Sequence, residues 1–396
     1  MTRLWDKGKP LDERVLAYTA GDDYLLDERL VEYDVRASIA HAEMLGERGL
    51  LSGPDLVAIR DALTEIGAEH EQGSWRITLD QEDCQTAIEN RLTARVGATG
   101  GRLHAGRSRN DQVLAALRLY LRDAAQALST GAVAVADALD ELASRDGAIE
   151  LPGYTHMQQA MPSTVALWAL GFAAEIRDDA EGLRLTQRRA SKNPLGSAAG
   201  YGTPNLDVSR ESTRRSLGFA VTHEPVTAVQ LSRGKAEAQL LFEITLLTQD
   251  MGRLAADLML FYTQEFGFVS LPAGFTTGSS IMPQKRNPDV FELMRGRSSV
   301  AQAALHEVLN ITQKLTSGYH RDLQLIKPPL FRGIDSCQQT LDILPSALAG
   351  VRFNRDKIRL DPTIHAAADA NALVTQENIP FREAYRRIGA KLENPE

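Results

Sequence analysis

A regular spacing of apolar residues in the middle of the chain limits the folds that are open to it. The apolar positions recur with gaps that alternate between four and three, at Leu240, Ile244, Leu247, Met251, Leu254, Leu258 and Phe261. This spacing places one stripe along a helix and is typical of helices that pack nearly parallel to one another. A helix from Leu231 to Phe266 would be roughly 50 Å long, which is usual in elongated bundles and unusual in small compact domains.

Three further stretches predict long helices. Apolar residues with helical spacing run from Leu114 to Leu142 and from Phe291 to Leu315, and another candidate spans Val165 to Leu185. Strand signals are sparse, because no alternating run exceeds a few residues. The sequence therefore predicts an all-α fold, an elongated long-helix bundle with smaller helical domains at both ends.

We expect three segments along the chain. They are an N-terminal helical domain at residues 1–105, a central long-helix bundle at residues 106–350 and a short helical C-terminal domain at residues 351–396. Apolar residues such as Leu241 and Tyr262 accompany the main stripe on a second face of the longest predicted helix. A second apolar face on a long helix is often buried on another subunit, so we expect self-association.

Composition excludes several classes of protein. With 24% charged and 43% hydrophobic residues, the chain is of the globular type rather than the disordered type. The first residues lack the apolar core of a secretion signal, and no stretch approaches the roughly 18 apolar residues of a membrane-spanning helix. Cys84 and Cys337 are too few for a disulfide framework and suit a reducing, cytoplasmic setting. The net charge of −8 argues against nucleic acid as the main partner but does not exclude anionic small molecules.

The segment Gly100–Gln112 combines glycines with three arginines and a histidine immediately before a long predicted helix. Glycines let the backbone approach a ligand, and a helix N-terminus offers free N–H groups to an anion. The alternative is a solvated turn in which Ser108, Asn110 or Asp111 caps the helix. A cap needs one such residue rather than this cluster, so we interpret the segment as functional.

The segment Thr277–Pro288 carries the sharpest signal. A Gly-Ser-Ser turn is followed by Lys285, Arg286 and an asparagine flanked by prolines, and Glu292 lies in the first turn of the next helix. This combination suits removal of a proton next to a carboxylate, because fixed cations and N–H donors stabilise the developing charge. The later segment Ser317–Lys327 adds a second basic, hydrogen-bonding patch.

Two other polar segments carry weaker signals. His156 lies in Gly153–Gln159, but a lone histidine before a helix is more often structural than catalytic. The glycine-rich segment Asn193–Thr203 lacks the strand and the lysine of a phosphate-binding loop, so tight helix packing explains it at least as well as ligand contact. The eight histidines are scattered and the cysteines lie far apart, and we find no metal or cofactor signature.

These motifs resemble a known family. Gly278–Pro288 resembles the signature of the aspartase/fumarase superfamily of lyases, and Gly106–Val113 and Gly153–Gln158 are similar to the argininosuccinate lyase family. The resemblance runs in order and spacing from the N-terminal helices to about Leu392. It implies an all-α fold and a homotetramer in which each active site is built from three subunits. It also implies a small polycarboxylate substrate and no metal or organic cofactor.

The resemblance further implies a reversible elimination that converts argininosuccinate to arginine and fumarate. Ser279 would remove the Cβ proton, for which its hydroxyl needs acidification by N–H groups and cations. Lys285 and Asn287 would stabilise the aci-carboxylate intermediate.

His156 would protonate the leaving nitrogen, directly or through Thr155 or water, with Glu292 as its carboxylate partner. Which of Ser279 and His156 is the acid and which is the base stays open. The substrate-binding positions implied by the resemblance are Ser108, Arg109, Asn110, Thr155, Asn287, Tyr319, Gln324 and Lys327.

The chain departs from the family pattern at a few positions. These are Met157 and Met161 in the histidine motif, His320 in place of an asparagine, Ile326 in place of an acidic residue, and Gly21–Asp23, where a substrate-contacting serine is expected. We also expect the C-terminal segment to be shorter than is usual in the family. These departures bear on the amine half of the substrate rather than on the elimination. The alternatives are another fumarate-releasing carbon–nitrogen lyase and a non-catalytic, crystallin-like structural relative.

Overall fold

The computed structural model describes residues 12–393, and helices account for most of them. The α-helices in this range are α1 (Glu13–Ala20), α2 (Asp23–Leu26), α3 (Val31–Glu47), α4 (Gly53–Glu71), α5 (Cys84–Val96), α6 (Ala98–Gly101), α7 (Arg109–Asp146), α8 (Val165–Ala190), α9 (Arg210–Ser216), α10 (Ala228–Leu231), α11 (Lys235–Tyr262), α12 (Asp289–Thr312), α13 (Lys327–Gly350), α14 (Ala366–Glu377) and α15 (Phe381–Glu393). The predicted all-α fold built on long helices is confirmed. The first eleven residues, to which the prediction about secretion applied, lie outside the described range. No helix of the described chain is long and apolar enough to cross a membrane.

The chain forms two compact units, and each consists of three separate stretches. The first unit comprises the chain up to Ser129 together with Glu181–Thr245 and Val300–Ser336. The second comprises Thr130–Ala180, Leu246–Ser299 and the chain from Cys337 onward. Helices α7, α8, α11, α12 and α13 each contribute residues to both units. These units are not consecutive in the sequence, unlike the predicted segments at residues 1–105, 106–350 and 351–396. The division into those three segments stays a prediction.

The apolar stripe that predicts the longest helix lies in α11, and its residues are all buried. The seven positions from Leu240 to Phe261 are at most 4% exposed. The helix itself is shorter than predicted at both ends, with 28 residues from Lys235 to Tyr262. It does not begin at Leu231 because Gly234 has a φ of +83°, a left-handed conformation that no α-helical residue adopts.

Close approach of helices explains small residues in both units. In the first unit, a Cβ atom on Gly333 of α13 would lie 2.5 Å from Leu241 of α11. In the second unit, a Cβ atom on Gly131 of α7 would lie 3.0 Å from Leu341 of α13. A side chain at the first position would overlap its neighbour, so the packing there requires glycine.

Strands are short and form three pairs within the described residues: β1 (Glu150–Thr155) with β2 (Gln158–Thr164), β3 (Lys192–Asn193) with β4 (Val221–Thr222), and β5 (Val269–Ser270) with β6 (Arg352–Phe353). The first pair is an antiparallel hairpin in the second unit, and it corrects the expectation that His156 lies in a loop before a helix. His156 and Met157 form its turn with φ values of +51° and +60°. Two positive φ values define a type I′ turn, whose usual sequence is Asn-Gly or Asp-Gly, and so the histidine motif gave no hairpin signal.

One buried carboxylate fixes the start of α7. Asp111 accepts a hydrogen bond from the N–H of Ser108 at 2.9 Å, and the Ser108 hydroxyl accepts one from the N–H of Asn110 at 3.3 Å. The second oxygen of Asp111 accepts hydrogen bonds from the N–H groups of Gly196 and Ala198 at 2.9 and 2.8 Å. Ser108 therefore caps the helix, and Asp111 attaches the glycine-rich segment Asn193–Thr203 to it.

We predict that Asp111→Ala destabilises the protein strongly. The substitution leaves three backbone N–H groups without their acceptor, and each unsatisfied buried group costs about 1–3 kcal/mol. The melting temperature should fall by about 5 °C or more in a thermal denaturation experiment, and Asp111→Asn should lose less, since its amide oxygen still accepts.

Asp123→Ala, at an exposed position of the same helix, is the matched control. Asp123 lies 3.6 Å from Arg36 and accepts a hydrogen bond from the Tyr33 hydroxyl. Its side chain is solvent-exposed, so the melting temperature of the variant should stay near that of the wild type. Equal melting temperatures for the two alanine variants would contradict the role given to Asp111.

Candidate functional site

A cavity of about 150 Å³ in the first unit collects five of the expected substrate-binding residues. Arg109 and Asn110 reach it from the start of α7, and Tyr319, Gln324 and Lys327 reach it from the segment that leads into α13. The other lining residues are Asp23, Asp83, Gln85, Val113, Arg233 and Arg321. Ser108 does not line this cavity, because its hydroxyl caps α7.

The basic segment before α7 is anchored from α3. The carbonyl of Ala105 accepts a hydrogen bond from Nε2 of the buried His41 at 2.8 Å, and a carbonyl only accepts, so Nε2 carries the proton. Arg107 is buried, and its guanidinium donates to the Ser38 hydroxyl at 2.9 Å. Arg102 pairs with Asp55 at 3.3 Å. These two arginines are therefore held by protein side chains and do not line the cavity.

Lys327 is 3% exposed and has two carboxylate partners. Its ammonium nitrogen lies 2.7 Å from Asp27 and 2.9 Å from Asp23. Burial raises the pKa of Asp23 to about 7, although the positive charge of Lys327 opposes this shift. Asp23 is therefore ionised less readily than an exposed aspartate, even though it lies beside an ammonium group.

Two more of the expected binding residues also have partners in the first unit. Arg109 donates to the Thr86 hydroxyl at 2.8 Å and lies 3.2 Å from Asp83. Gln324 donates to the carbonyl groups of Thr19 and Ala20, both at 3.0 Å. These contacts fix the two side chains at the cavity wall.

The second unit carries His156 and the residues of the glycine-serine motif. Thr155 and His156 are exposed at the end of the β1–β2 hairpin. His156 also lines a cavity of about 390 Å³, together with Tyr154 and Trp168. Its left-handed backbone, and that of Met157, is uncommon for residues with a side chain and is a form of strain that is frequent at functional sites.

A short bridge closes the glycine-serine loop. Thr277 and Asn287 exchange backbone hydrogen bonds of 3.0 and 2.9 Å, so the residues between them form a closed loop. The hydroxyl oxygen of Ser279 accepts hydrogen bonds from the N–H groups of Met282 and Ile281 at 3.2 and 3.4 Å. Donors aimed at this oxygen stabilise negative charge on it and so favour loss of its proton.

The remaining expected catalytic residues make few contacts. Lys285 and Glu292 are exposed, and no hydrogen bond or ion pair joins Glu292 to His156 within residues 12–393. The Asn287 amide donates to the carbonyl of Gly278, the residue before Ser279, at 3.5 Å. Within the described residues, no carboxylate is paired with His156. No group of three metal-ligating side chains occurs in the part of the chain that is described.

Comparisons with known proteins identify the class to which this fold and these motifs belong. The model of the lyase family matches residues 10–303. EDDS lyase in complex with formate has a similar structure, with a TM-score of 0.80, 23% sequence identity, and coverage of 97% of this chain and 77% of that one. At this identity the structural similarity supports the fold alone, whereas the family match defines the chain as a lyase.

Two curated relatives narrow the class. The argininosuccinate lyase of Sorangium cellulosum is 47% identical to this chain, and the alignment covers 98% of the chain and 90% of the relative. The argininosuccinate lyase of Thermotoga neapolitana is 38% identical, with 98% of each protein covered. The chain belongs to the argininosuccinate lyase family of carbon–nitrogen lyases.

Sequence reasoning did not single out Asp83, Gln85 or Arg233 of the first-unit cavity, and it marked Asp23 only as part of Gly21–Asp23, where the family pattern predicts a serine. Arg233 lies in the turn between α10 and α11. A glycine flanked by two cations at the start of a long helix was the available signal for Arg233, and it is the same kind of signal that marked Gly100–Gln112.

We predict that His41 makes stability fall in acid. Burial lowers the pKa of His41 to about 3 from 6.5, so between these values the unfolded chain binds more protons than the folded one. The free energy of unfolding should therefore decrease as the pH falls through this window, by up to about 1.4 kcal/mol per pH unit. His41→Gln should show a smaller decrease in thermal melts between pH 7 and pH 4.

The glutamine variant retains an N–H donor for Ala105 but has no ring to protonate. His306→Gln, at an exposed position of α12, serves as the control and should retain the acid dependence of the wild type. Equal pH dependence in wild type and His41→Gln would show that another group controls acid unfolding.

Proposed function

We propose that this chain catalyses the reversible elimination of argininosuccinate to arginine and fumarate. The observation that carries the proposal is the Ser279 hydroxyl, held in a closed loop with two backbone N–H groups directed at its oxygen. The relatives named argininosuccinate lyase, at 38% and 47% identity over nearly the whole chain, support the choice of substrate.

In the proposed reaction, Ser279 takes a proton from the succinyl Cβ. The electron pair left on carbon spreads into the adjacent carboxylate, and Lys285 and Asn287 stabilise the resulting aci-carboxylate. The pair then forms the carbon–carbon double bond of fumarate as the carbon–nitrogen bond breaks. The two N–H donors on Ser279 act here as an oxyanion site does, since they favour the alkoxide form of the base.

His156 would supply the proton that the leaving guanidinium nitrogen needs, directly or through Thr155 or water. Its position at an exposed hairpin turn leaves the imidazole free to meet substrate or a residue of another subunit. Glu292 would orient the imidazole as its carboxylate partner. The opposite assignment, with His156 as base and Ser279 as acid, uses the same pair of residues.

The first-unit cavity would bind substrate through Arg109, Asn110, Tyr319, Gln324 and Lys327. Its volume of about 150 Å³ is close to that of a cavity that holds one benzene ring, so it has room for one end of argininosuccinate. Ser108 would contribute through the helix start that it caps.

We infer that the protein is a homotetramer in the cytoplasm, with each active site formed by three subunits. Large apolar side chains are exposed on the long helices, which favours burial against other copies. They are Leu167 and Leu170 on α8, Phe242 and Leu246 on α11, and Leu293 and Leu309 on α12. Cys84 and Cys337 are both free and buried, which suits a reducing compartment.

We predict that Ser279→Ala abolishes turnover without affecting assembly. Loss of a general acid or base typically lowers the rate by about 10²–10⁴-fold, and the methyl group preserves the loop. Release of fumarate from argininosuccinate, followed by ultraviolet absorbance, measures the rate, and size-exclusion chromatography with light scattering measures assembly.

Ser280→Ala is the matched control, since Ser280 is the exposed neighbour in the same loop and should tolerate the change. A Ser279→Ala enzyme with a near-normal rate would refute the assignment of this residue.

The identity of the substrate is tested with adenylosuccinate, aspartate and malate in the same assay. Fumarate release from one of these and none from argininosuccinate would identify a different carbon–nitrogen or carbon–oxygen lyase, and no release from any would favour a structural relative.

We predict that mixing inactive Ser279→Ala and His156→Ala subunits restores activity. If the two residues of one site come from different subunits, random mixing gives both intact residues in about a quarter of the sites. The mixture is unfolded and refolded together, and its rate is compared with that of each variant refolded alone. A mixture as inactive as its components would contradict a site shared in this way.

A further inference from the structure

The three exposed methionines of the described chain all lie in the two segments that carry the proposed catalytic pair. Met157 and Met161 lie on the β1–β2 hairpin and are 67% and 52% exposed. Met282 lies in the Ser279 loop and is 37% exposed. The other methionines between residues 12 and 393 are buried or half-buried: Met44, Met251, Met259 and Met294. Exposed thioether groups are therefore confined to the segments of the reactive side chains.

Met157 lies beside the proposed acid–base histidine. It follows His156 in the hairpin turn, with a φ of +60°, and both residues line the cavity of about 390 Å³ in the second unit. Met161 lies in β2 of the same hairpin but does not line this cavity. A sulfoxide is polar and has an oxygen that accepts hydrogen bonds. Oxidation of Met157 would therefore place a new acceptor in the cavity of the imidazole, and oxidation of Met161 would not.

Met282 contacts two groups of the Ser279 loop through its backbone. Its N–H donates to the hydroxyl oxygen of Ser279 at 3.2 Å, and its carbonyl accepts a hydrogen bond from the N–H of Lys285 at 3.0 Å. A sulfoxide on this side chain would offer the N–H donors of the turn a second acceptor. Oxidation of Met282 would thus disturb the placement of both Ser279 and Lys285.

The two thiols of the chain are poor targets for an oxidant. Cys84 and Cys337 are buried, and burial raises the pKa of the Cys337 thiol to about 12 and that of the Cys84 thiol well above its usual value. The thiolate is the reactive form, so neither cysteine reacts readily at neutral pH. A thioether has no proton to lose, and its reactivity therefore depends on exposure. Peroxide is also smaller than any substrate that the site admits.

We propose that hydrogen peroxide reversibly lowers the activity of the site by oxidising Met157 and Met282, and that Met161 is oxidised without this effect. The inference rests on the proposed function and adds a means of regulation to it. One peroxide oxygen is transferred to sulfur as the O–O bond breaks, and the other leaves as water with both protons. Sulfur loses two electrons and peroxide gains them. A methionine sulfoxide reductase with a dithiol reverses the step and gives the thioether, a disulfide and water.

The test begins with the untreated enzyme, whose release of fumarate from argininosuccinate is measured first. Hydrogen peroxide is then added, and peptide mass spectrometry follows the sulfoxide at each methionine alongside the rate. The rate should fall by about 10-fold or more, because general acid–base catalysis typically contributes about 10²- to 10⁴-fold. Sulfoxide should form at the three exposed methionines before it forms at the buried ones. Reductases that act on both sulfoxide epimers should restore the rate.

Leucine variants assign the effect, and each is compared with its own untreated rate. The double variant Met157→Leu, Met282→Leu should retain most of its rate after peroxide, because leucine has a similar volume and no sulfur. Met161→Leu is the matched control from the same hairpin, and peroxide should inhibit it as strongly as the wild type. Met157→Gln has a permanent acceptor at this position and should have a lowered kcat without peroxide.

Three results would overturn the proposal. They are sulfoxide at Met157 and Met282 with an unchanged rate, inhibition of the double leucine variant equal to that of the wild type, and inhibition that the reductases do not reverse. The first and third are measured on the wild type, so the test does not depend on the folding of a variant.

Failure of the proposed function gives a different result. If the untreated enzyme releases no fumarate, the proposed function is refuted, and this regulation is refuted with it. An active enzyme that is oxidised without loss of rate refutes the regulation alone. The two failures are therefore distinguishable.

Discussion

The carboxylate of Asp111 organises the first unit, because both of its oxygens accept backbone hydrogen bonds in the interior. One oxygen fixes the start of α7 through Ser108, and the other holds Gly196 and Ala198. Burial raises the pKa of Asp111 to about 6, and the three N–H donors oppose the shift, so the group is mainly ionised at neutral pH. Since the helix start is fixed in this way, its neighbours Arg109 and Asn110 point to the cavity wall with little freedom.

The long helices could be predicted because their signal is local and repetitive. The stripe from Leu240 to Phe261 gives both the helix and its buried face, and the structure agrees at every position. The ends of α11 could not be predicted, since they depend on the left-handed backbone of Gly234. The sequence also failed to predict the β1–β2 hairpin around His156, for a related reason. Its turn uses a histidine and a methionine where glycine or asparagine is usual, and only the pairing of the two strands makes that backbone acceptable.

In the candidate site, too, the sequence predicts the types of residue, but it does not predict which residues pair with one another. The sequence motifs identify residue types, so they mark the arginines of Gly100–Gln112, together with Lys327, as candidate functional cations. Their partners come from distant parts of the chain, and these assign Arg107 to Ser38 and Lys327 to Asp23 and Asp27. Arg233 shows the opposite case. The sequence does not single it out, and only the structure shows that it is buried with Nε and Nη1 unpaired among the described residues.

The bridge between Thr277 and Asn287 also bears on how such enzymes diverge. It joins the two ends of the Ser279 loop directly, so the loop is a closed insertion between fixed residues. Residues of the first unit that line the cavity, such as Asp23 and Arg233, belong to other segments of the chain. Under the proposed roles, mutation in the cavity would change substrate binding and leave the Ser279 loop unaltered. Recognition and chemistry would then lie in separate parts of the sequence, and selection could act on each independently.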